Sequence, residues 1–390
     1  MEFSGTLGLD GKHASAAALQ SLRNAPAGAR QVEFEAGEHL LSLELRPAGS
    51  AAQVSVAAAS EDSQRLLRNA LVGKAELVQD GGERHLLGTV PVHREGLERG
   101  VEDKIRWARQ TVCSHDAASR PGREIPAGFL NLLWWDGRPN FGDAVGPWLA
   151  GHLSGLTPVN GFRRSLRTPA LATVGSIAGW LEQNASQIWG SGLMAPLEDE
   201  SLARLRDLQD VRVHAVRGRN TRTELQRKTG WDVPEVYGDP ALLLPQFLAA
   251  EGTGTGGIAV VPHPDHRDCM ETAAGPGIEV VDVREGVEAV VRRITGARVC
   301  ISSSLHGIIV AQAYRVPWVW LRISDRLISG DRYKFEDFFT TLDASAVCTG
   351  NVACRELTPR LMERLAARAV LPELGIDLEP LLQSFPHRRA

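Results

Sequence analysis

Cysteine is scarce in this chain and falls into no pattern: five residues, at 113, 269, 300, 348 and 354, an odd number with no Cys-x-x-Cys. This excludes a disulfide-stapled scaffold and fits a reducing compartment. Long apolar runs are missing too. Nothing approaches the ~20 residues of a membrane-spanning helix, and the apolar stretch Phe129 to Trp135 has the length of a buried strand. Met1 to Lys12 lacks the basic start and apolar core of a signal peptide, which sets the expectation of a cytoplasmic protein. Basic blocks are absent, and with a net charge of −4 and no aromatic-basic interleaving, a nucleic-acid binder is excluded. Metal-ligand spacing is confined to His263-x-x-His266-x-x-Cys269, which has no fourth ligand and lies in a strand-exit loop. No metal is expected there.

What is present is the composition of a globular chain, 43% apolar and 23% charged over 390 residues, enough for two or three domains. Residues 1–125 read as a small α+β domain, with strand-like runs at 31–36, 39–46, 53–58 and 85–92 and helices near 61–72 and 95–112. A polar segment, 114–126, reads as the linker that follows. From Phe129 short apolar strands alternate with helical stretches, the pattern of parallel α/β layers. One series of strands is read at 129–135, 170–174, 187–190, 211–216 and 235–238, and a second at 258–262, 278–283, 297–301 and 318–323. Between them the run Glu251 to Gly257 reads as a glycine-rich hinge, because no strand leads into it as a phosphate loop requires. The expected architecture is α/β: two Rossmann-like halves, 126–250 and 251–390, in a GT-B-like arrangement behind the N-terminal domain. Helices near 358–370 and 377–384 close the chain.

The segment Cys300 to Val310 carries the most chemistry. It reads as a buried strand, a turn of three hydroxyls (Ser302, Ser303, Ser304) and a helix opening on Leu305-His306-Gly307. A helix start offers free N–H groups and the positive end of the macrodipole, so it suits phosphate or carboxylate. Gly307 would let a ligand approach the backbone, and His306 could move a proton. Asn140-Phe141-Gly142-Asp143, Gly175-Ser176, Gly190-Ser191, Arg217, Asp239 and His263 all fall just after predicted strands. Ligands bind at that edge of parallel sheets. Arg217 precedes a helix with the capping-box pattern Thr221-Arg222-Thr223-Glu224, and Asp239-Pro240 fits N-cap and N1. Asp143 fits an N-cap as well as it fits a catalytic carboxylate. Trp134 and Trp135 point to opposite faces of one strand, so one of them could stack on a sugar.

These motifs, in this order and continuing through Ala313-Tyr314-Arg315-Val316-Pro317, Ser324, Lys334-Phe335 and Asp337-Phe338, resemble the polysaccharide pyruvyl transferase family over roughly Phe129 to Leu342. The resemblance implies transfer of a pyruvyl group from phosphoenolpyruvate onto hydroxyls of a hexose, in a bacterial surface polysaccharide or its lipid-linked precursor. The product is a cyclic ketal. Phosphoenolpyruvate is the donor substrate, and no cofactor is implied. Catalytic roles fall to His306 as acid, with Asp143 and His263 as candidates for the base. Arg217 is expected to grip the donor, helped by the serines and by Lys334. Many members have arginine where this chain has Ser304, so its charge must come from Arg219, Arg322 or Lys334, of which Arg322 is favoured. A nucleotide-sugar glycosyltransferase on the same fold is the alternative, although no ribose-binding acidic residue follows the glycines. A degenerate glycan-binding homologue is a third reading. Acceptor recognition, contact with the inner face of the membrane and homo-oligomerisation are all open as roles for the first 125 residues.

Overall fold

The computed structural model describes residues 30–49, 51–91, 94–162, 164, 166–250 and 256–389. Strands β1 (Arg30–Ala36), β2 (His39–Ala48), β3 (Ala51–Ala58), β4 (Glu76–Gln79) and β5 (Glu83–Pro91) form an antiparallel sheet in the order β1-β2-β3-β5-β4. Its apolar residues alternate, with Val32, Phe34, Leu41, Leu43, Leu45, Val54 and Val56 buried, so one face carries a core. Helix α1 (Glu61–Leu71) covers that face; its N-cap Ser60 accepts from the Ser63 N–H. Helix α2 (Arg94–Ala118) adds Val101, Ile105, Ala108 and Val112, a helical stripe. Because α2 continues to Ala118, the expected linker at 114–126 begins inside a helix.

Two parallel sheets flanked by helices make up the rest. The first contains β6 (Phe129–Leu133), β7 (Thr157–Asn160), β8 (Leu171–Ala172), β9 (Gln187–Trp189) and β10 (Arg212–Ala215), in the order β10-β9-β8-β6-β7. The second contains β11 (Gly256–Val261), β12 (Ile278–Val280), β13 (Ala297–Ser302), β14 (Trp318–Ile323) and β15 (Thr349–Val352), in the order β12-β11-β13-β14-β15. Central strands such as Val299-Cys300-Ile301 are buried on both faces, which is why they read as continuous apolar runs. The run at 235–238 is no strand; it contributes only a bridge from Val216 to Tyr237. Residues 251–255 of the expected hinge lie outside the described residues, and Gly256-Gly257 open β11 instead. A Cβ on Gly257 would overlap the Gly277 carbonyl, so close strand packing accounts for this glycine.

The helices that matter for function are α3 (Phe141–Ser154), α4 (Asp199–Asp207), α5 (Arg219–Thr229), α6 (Arg267–Met270), α7 (Val287–Gly296), α8 (Leu305–Ala313), α9 (Tyr333–Phe339), α10 (Pro359–Ala366) and α11 (Glu379–Gln383). One apolar core runs between the two parallel sheets, joining Leu132, Phe141, Trp189 and Leu242–Leu244 to Ile308, Trp318, Phe335 and Leu381. Apart from His306 and Gln312, helix α8 is apolar on all sides because it is buried there, against the 3₁₀ turn Pro240–Gln246. Backbone and side-chain bonds fix the pairing: Phe141 N donates to Val283 O (2.9 Å) and Trp189 Nε1 to Leu381 O (2.8 Å). The N-terminal unit is seated on both layers. Arg68 Nη1 and Asn69 Nδ2 donate to the Asp136 carbonyl (3.1 Å) and carboxylate (2.9 Å), and Gly286 N donates to Leu77 O (2.9 Å).

Candidate active site

A cleft of about 550 Å³ opens where the carboxyl ends of the two parallel sheets meet. Each wall is a loop leaving a strand: Trp135 to Asp143 after β6, Gly175 to Trp180 after β8, Met194 after β9, His263 to Asp265 after β11, Ser304 to His306 after β13, and Ser329 with Lys334 after β14. Of the residues singled out in the sequence, Asn140, Asp143, Gly175, Ser176, His263, Ser304, Leu305, His306 and Lys334 line it.

Helix starts from both layers converge on this space. In α3 the N-cap is Asn140, whose Oδ1 accepts from Gly142 N at 3.3 Å. Asp143 is therefore free of the capping role and turns a carboxylate into the cleft, held by Asn140 Nδ2 at 2.7 Å. Gly142 lies behind His306: a Cβ there would overlap the imidazole, so the glycine sets where the ring stands. Ser304 is the N-cap of α8, yet its side chain makes no capping bond and it lines the cleft.

Burial governs the charges. His306 sits in the first turn of α8 with its side chain 12% exposed, and its Nε2 lies 4.0 Å from Oδ2 of the fully buried Asp239. Neither atom has a hydrogen-bond partner. Burial pushes the imidazole down to about 3, with Arg217, Lys334 and His263 adding to the effect. Burial likewise pushes Asp239 up to about 6, against hydrogen bonds from the Ala241 and Gly175 backbone and the charge of Arg217. Asp143 is raised to about 6 by burial, opposed by Asn140 and Lys334. Lys334 is lowered to about 8, by burial first and then by Arg217, and its Nζ donates to Ser329 O at 2.9 Å. His263 is held down at about 3 by burial and then by Lys334; its Nδ1 accepts from Asp265 N at 3.2 Å.

Several expected ligand contacts prove internal. Arg217 is fully buried, and its guanidinium is consumed by Asp337 Oδ2 (2.9 Å), Ser176 Oγ (2.7 Å) and Leu193 O (2.8 Å). It braces the cleft from behind, through Ser176, and is not among the residues that line it. The capping box at Thr221 is not formed. Asp337, from the other layer, accepts from Thr221 N (2.8 Å) and Thr221 Oγ1 (2.7 Å) and so satisfies the start of α5. Ser302 Oγ lies 2.9 Å from Val261 O and accepts from Ser304 N, while Ser303 Oγ accepts from His263 N (2.9 Å). Gly307 packs against Ser302 and Val261, so it serves the seating of α8 and not ligand approach. Ser191 Oγ donates to Gly175 O (3.0 Å), and Gly190 packs on Pro240; both lie beneath the cleft. Arg322 pairs with Asp331 (2.6 Å) outside the cleft, so of the candidates to replace the family arginine it is Lys334 that lines the cleft. His266 bonds Ser303 Oγ (3.0 Å) and Arg326 O (2.7 Å), and the Cys269 thiol donates to His266 O, so that trio is committed to loop structure.

The sequence reading missed Arg138, Asp265, Trp180 and Met194. Arg138 and Asp265 form a 2.6 Å ion pair joining the β6 and β11 loops across the rim. Trp135 and Trp180 line one wall with ring centroids 6.2 Å apart, Phe162 packs beside them, and Trp134 is buried in the core.

The geometry defines an α/β protein with a cleft that combines carboxylate, imidazole and ammonium groups at strand ends. Residues 188–325 match the family model for polysaccharide pyruvyl transferase, so the resemblance carried by the ordered motifs is shown over that segment. The match spans β9 to the end of β14 and includes Arg217, Asp239, His263 and the Ser302–His306 turn. The chain is also similar to an uncharacterized protein of Acanthamoeba polyphaga mimivirus, 26% identical over 180 residues, which are 44% of this chain and 60% of that protein. Among the described residues no helix is long and apolar enough to cross a membrane.

Proposed function

We propose that the cleft transfers the pyruvyl group of phosphoenolpyruvate onto two hydroxyls of a hexose, forming a cyclic ketal and releasing inorganic phosphate. The observation that carries this reading is the meeting of His306, Asp143, Lys334 and Ser304 on one surface at the start of α8. A GT-B-like pairing of the two parallel layers, with donor and acceptor in the cleft between them, is part of the same proposal. Lys334, the rim Arg138 and the first-turn N–H groups of α8 supply positive potential for a trianionic donor.

A bound trianion would oppose burial and raise the proton affinity of His306, with Asp239 4.0 Å from Nε2 to stabilise the imidazolium. His306 then delivers that proton to the methylene carbon, leaving positive charge at C2. One sugar hydroxyl attacks C2 and gives its proton to a base, either Asp143 or His263. The C2–O bond to phosphate breaks, the second hydroxyl closes the ring, and its proton leaves on hydrogen phosphate. The three negative charges of the donor end as one carboxylate and one dianion. Trp135 and Trp180 offer an aromatic wall to the apolar face of the acceptor ring. The protein acts in this proposal on the cytoplasmic side, on a glycan or lipid-linked oligosaccharide, without a cofactor.

The test is melting with each donor class, since a ligand stabilises the state it binds. Phosphoenolpyruvate should raise Tm and UDP- or GDP-sugars should not. A shift with the nucleotide sugars alone would assign the cleft to glycosyl transfer.

A further inference from the structure

A second cavity, of about 320 Å³, lies where the N-terminal unit meets both parallel layers. That volume is at the small end of the ~300–1,000 Å³ usual for ligand pockets. It draws walls from α1–β4 and β5, from α3, and from the loop into α7. The first turn of α3 separates it from the cleft: Asp143 faces the cleft, Ala144 faces the cavity, and Asn140 lines both. Asn140 is the lining residue that the two cavities share.

The lining has the character of a site for a neutral, hydroxyl-rich ligand. The indole of Trp148 and the side chains of Leu87 and Val287 give apolar surface. The charged groups are largely compensated within the protein. Arg68 pairs with Glu83 (3.0 Å), Glu285 with Arg293 (2.8 Å), and Glu288 accepts from Trp148 Nε1 (3.2 Å). Two groups are exceptions: the Lys74 ammonium, at the exposed mouth, and His85, deeper in. His85 is 2% exposed, its Nδ1 has no partner, and its Nε2 stands 3.6 Å from Glu83 Oε1, beyond hydrogen-bond length. Burial lowers its proton affinity despite Glu83, and in its neutral form the ring carries one N–H and one lone pair. A sugar hydroxyl both donates and accepts, which matches a neutral imidazole, whereas an unpaired buried ring is costly.

We propose that the junction cavity binds the hexose next to the reacting one in the acceptor chain, with His85 as its hydrogen-bonding anchor and Lys74 at its mouth. This rests on the reading of the cleft as a pyruvyl transfer site. It gives the N-terminal unit a task, acceptor recognition, and makes the protein favour oligosaccharides over single sugars.

The experiment uses the full chain, phosphoenolpyruvate, and methyl glucoside, galactoside and mannoside beside their 1,4-linked disaccharide glycosides. Phosphate release gives KM for each acceptor, and saturation-transfer NMR gives binding without turnover. In wild type the best disaccharide should have a KM at least tenfold below that of its monosaccharide. His85→Phe keeps the ring shape and should remove that gap, leaving kcat, the donor KM and the monosaccharide KM unchanged. Lys74→Met, at an exposed position, should narrow it and guards against misfolding of the first variant. Monosaccharide turnover with no disaccharide advantage, or an advantage that persists in both variants, would overturn this inference and leave the reaction intact. Disaccharide NMR signals lost in His85→Phe, with no phosphate released from any acceptor, would support the cavity and refute the reaction.

Discussion

At the residue scale the proposed chemistry turns on His306 and what stands around it. Asp239 caps the Pro240–Gln246 turn through Oδ1 (3.0 Å to Ala241 N) and faces His306 with Oδ2. Asp239→Asn keeps the cap and removes the charge, so kcat should fall about 10²–10⁴-fold, the usual worth of acid–base groups, with little change in donor KM. His306→Ala should abolish turnover and leave a folded protein. Gly142→Ala should also lower kcat, since a methyl group there displaces the imidazole. Losing the Lys334 ammonium removes a charged contact worth about 1.5–3 kcal/mol, so Lys334→Met should raise the donor KM roughly 10- to 150-fold. Asp143, raised to about 6, is ionised above that pH. If it is the base, kcat should drop as pH falls through about 6, and Asp143→Asn should erase that limb. A limb near 6 that persists in Asp143→Asn would belong to Asp239, also raised to about 6, and full activity in Asp143→Asn would pass the role of base to His263.

At the element scale the strand–turn–helix of β13 and α8 was legible, because a doubly buried strand and a mostly apolar helix both announce themselves in composition. The roles of the serines and of Gly307 were not, since Val261 and His263, their partners, lie about forty residues upstream and leave no local period. The same holds for Arg217, whose strand-end position suggests an anion contact, while Asp337, 120 residues on, claims its guanidinium. Breaking a buried ion pair leaves an unpaired charge, so Arg217→Ala should cost about 3–5 kcal/mol of stability, measured by urea unfolding. A stable variant with a raised donor KM would restore the first reading. Short strands such as β4, β7 and β15 escaped notice because four residues carry too little alternation to stand out.

Helix α2 holds another buried group, His115, with neither ring nitrogen partnered and its affinity pushed down to about 3 by burial, then by Arg164 and Lys74. The folded affinity lies below the unfolded one, so its contribution to stability is present above about pH 6.5 and is lost as pH falls toward about 3. His115→Leu should therefore lose less stability on acidification, by on the order of 2–3 kcal/mol at pH 4. Melting curves of both proteins from pH 7 to pH 4 check this; parallel curves would mean that the ring titrates freely.

At the scale of the whole molecule, the alternation of strands and helices foretold two parallel α/β units and a distinct α+β unit before them, since each rests on local period. The seam between them could not be read. Asp136, Leu77 and Asn140 join the three units through contacts that no sequence window contains. Arg138, Trp180 and Met194 likewise become cleft residues only once the two sheets face each other. In the proposed reaction this cleft makes a ketal from phosphoenolpyruvate. The most direct measurement is to incubate the purified protein with ¹³C2-labelled phosphoenolpyruvate and hexosides and follow the labelled carbon by NMR. The account predicts a new quaternary ketal carbon appearing in step with inorganic phosphate, and neither with His306→Ala. Phosphate release with the label recovered as free pyruvate, or a ketal formed equally by His306→Ala, would contradict it.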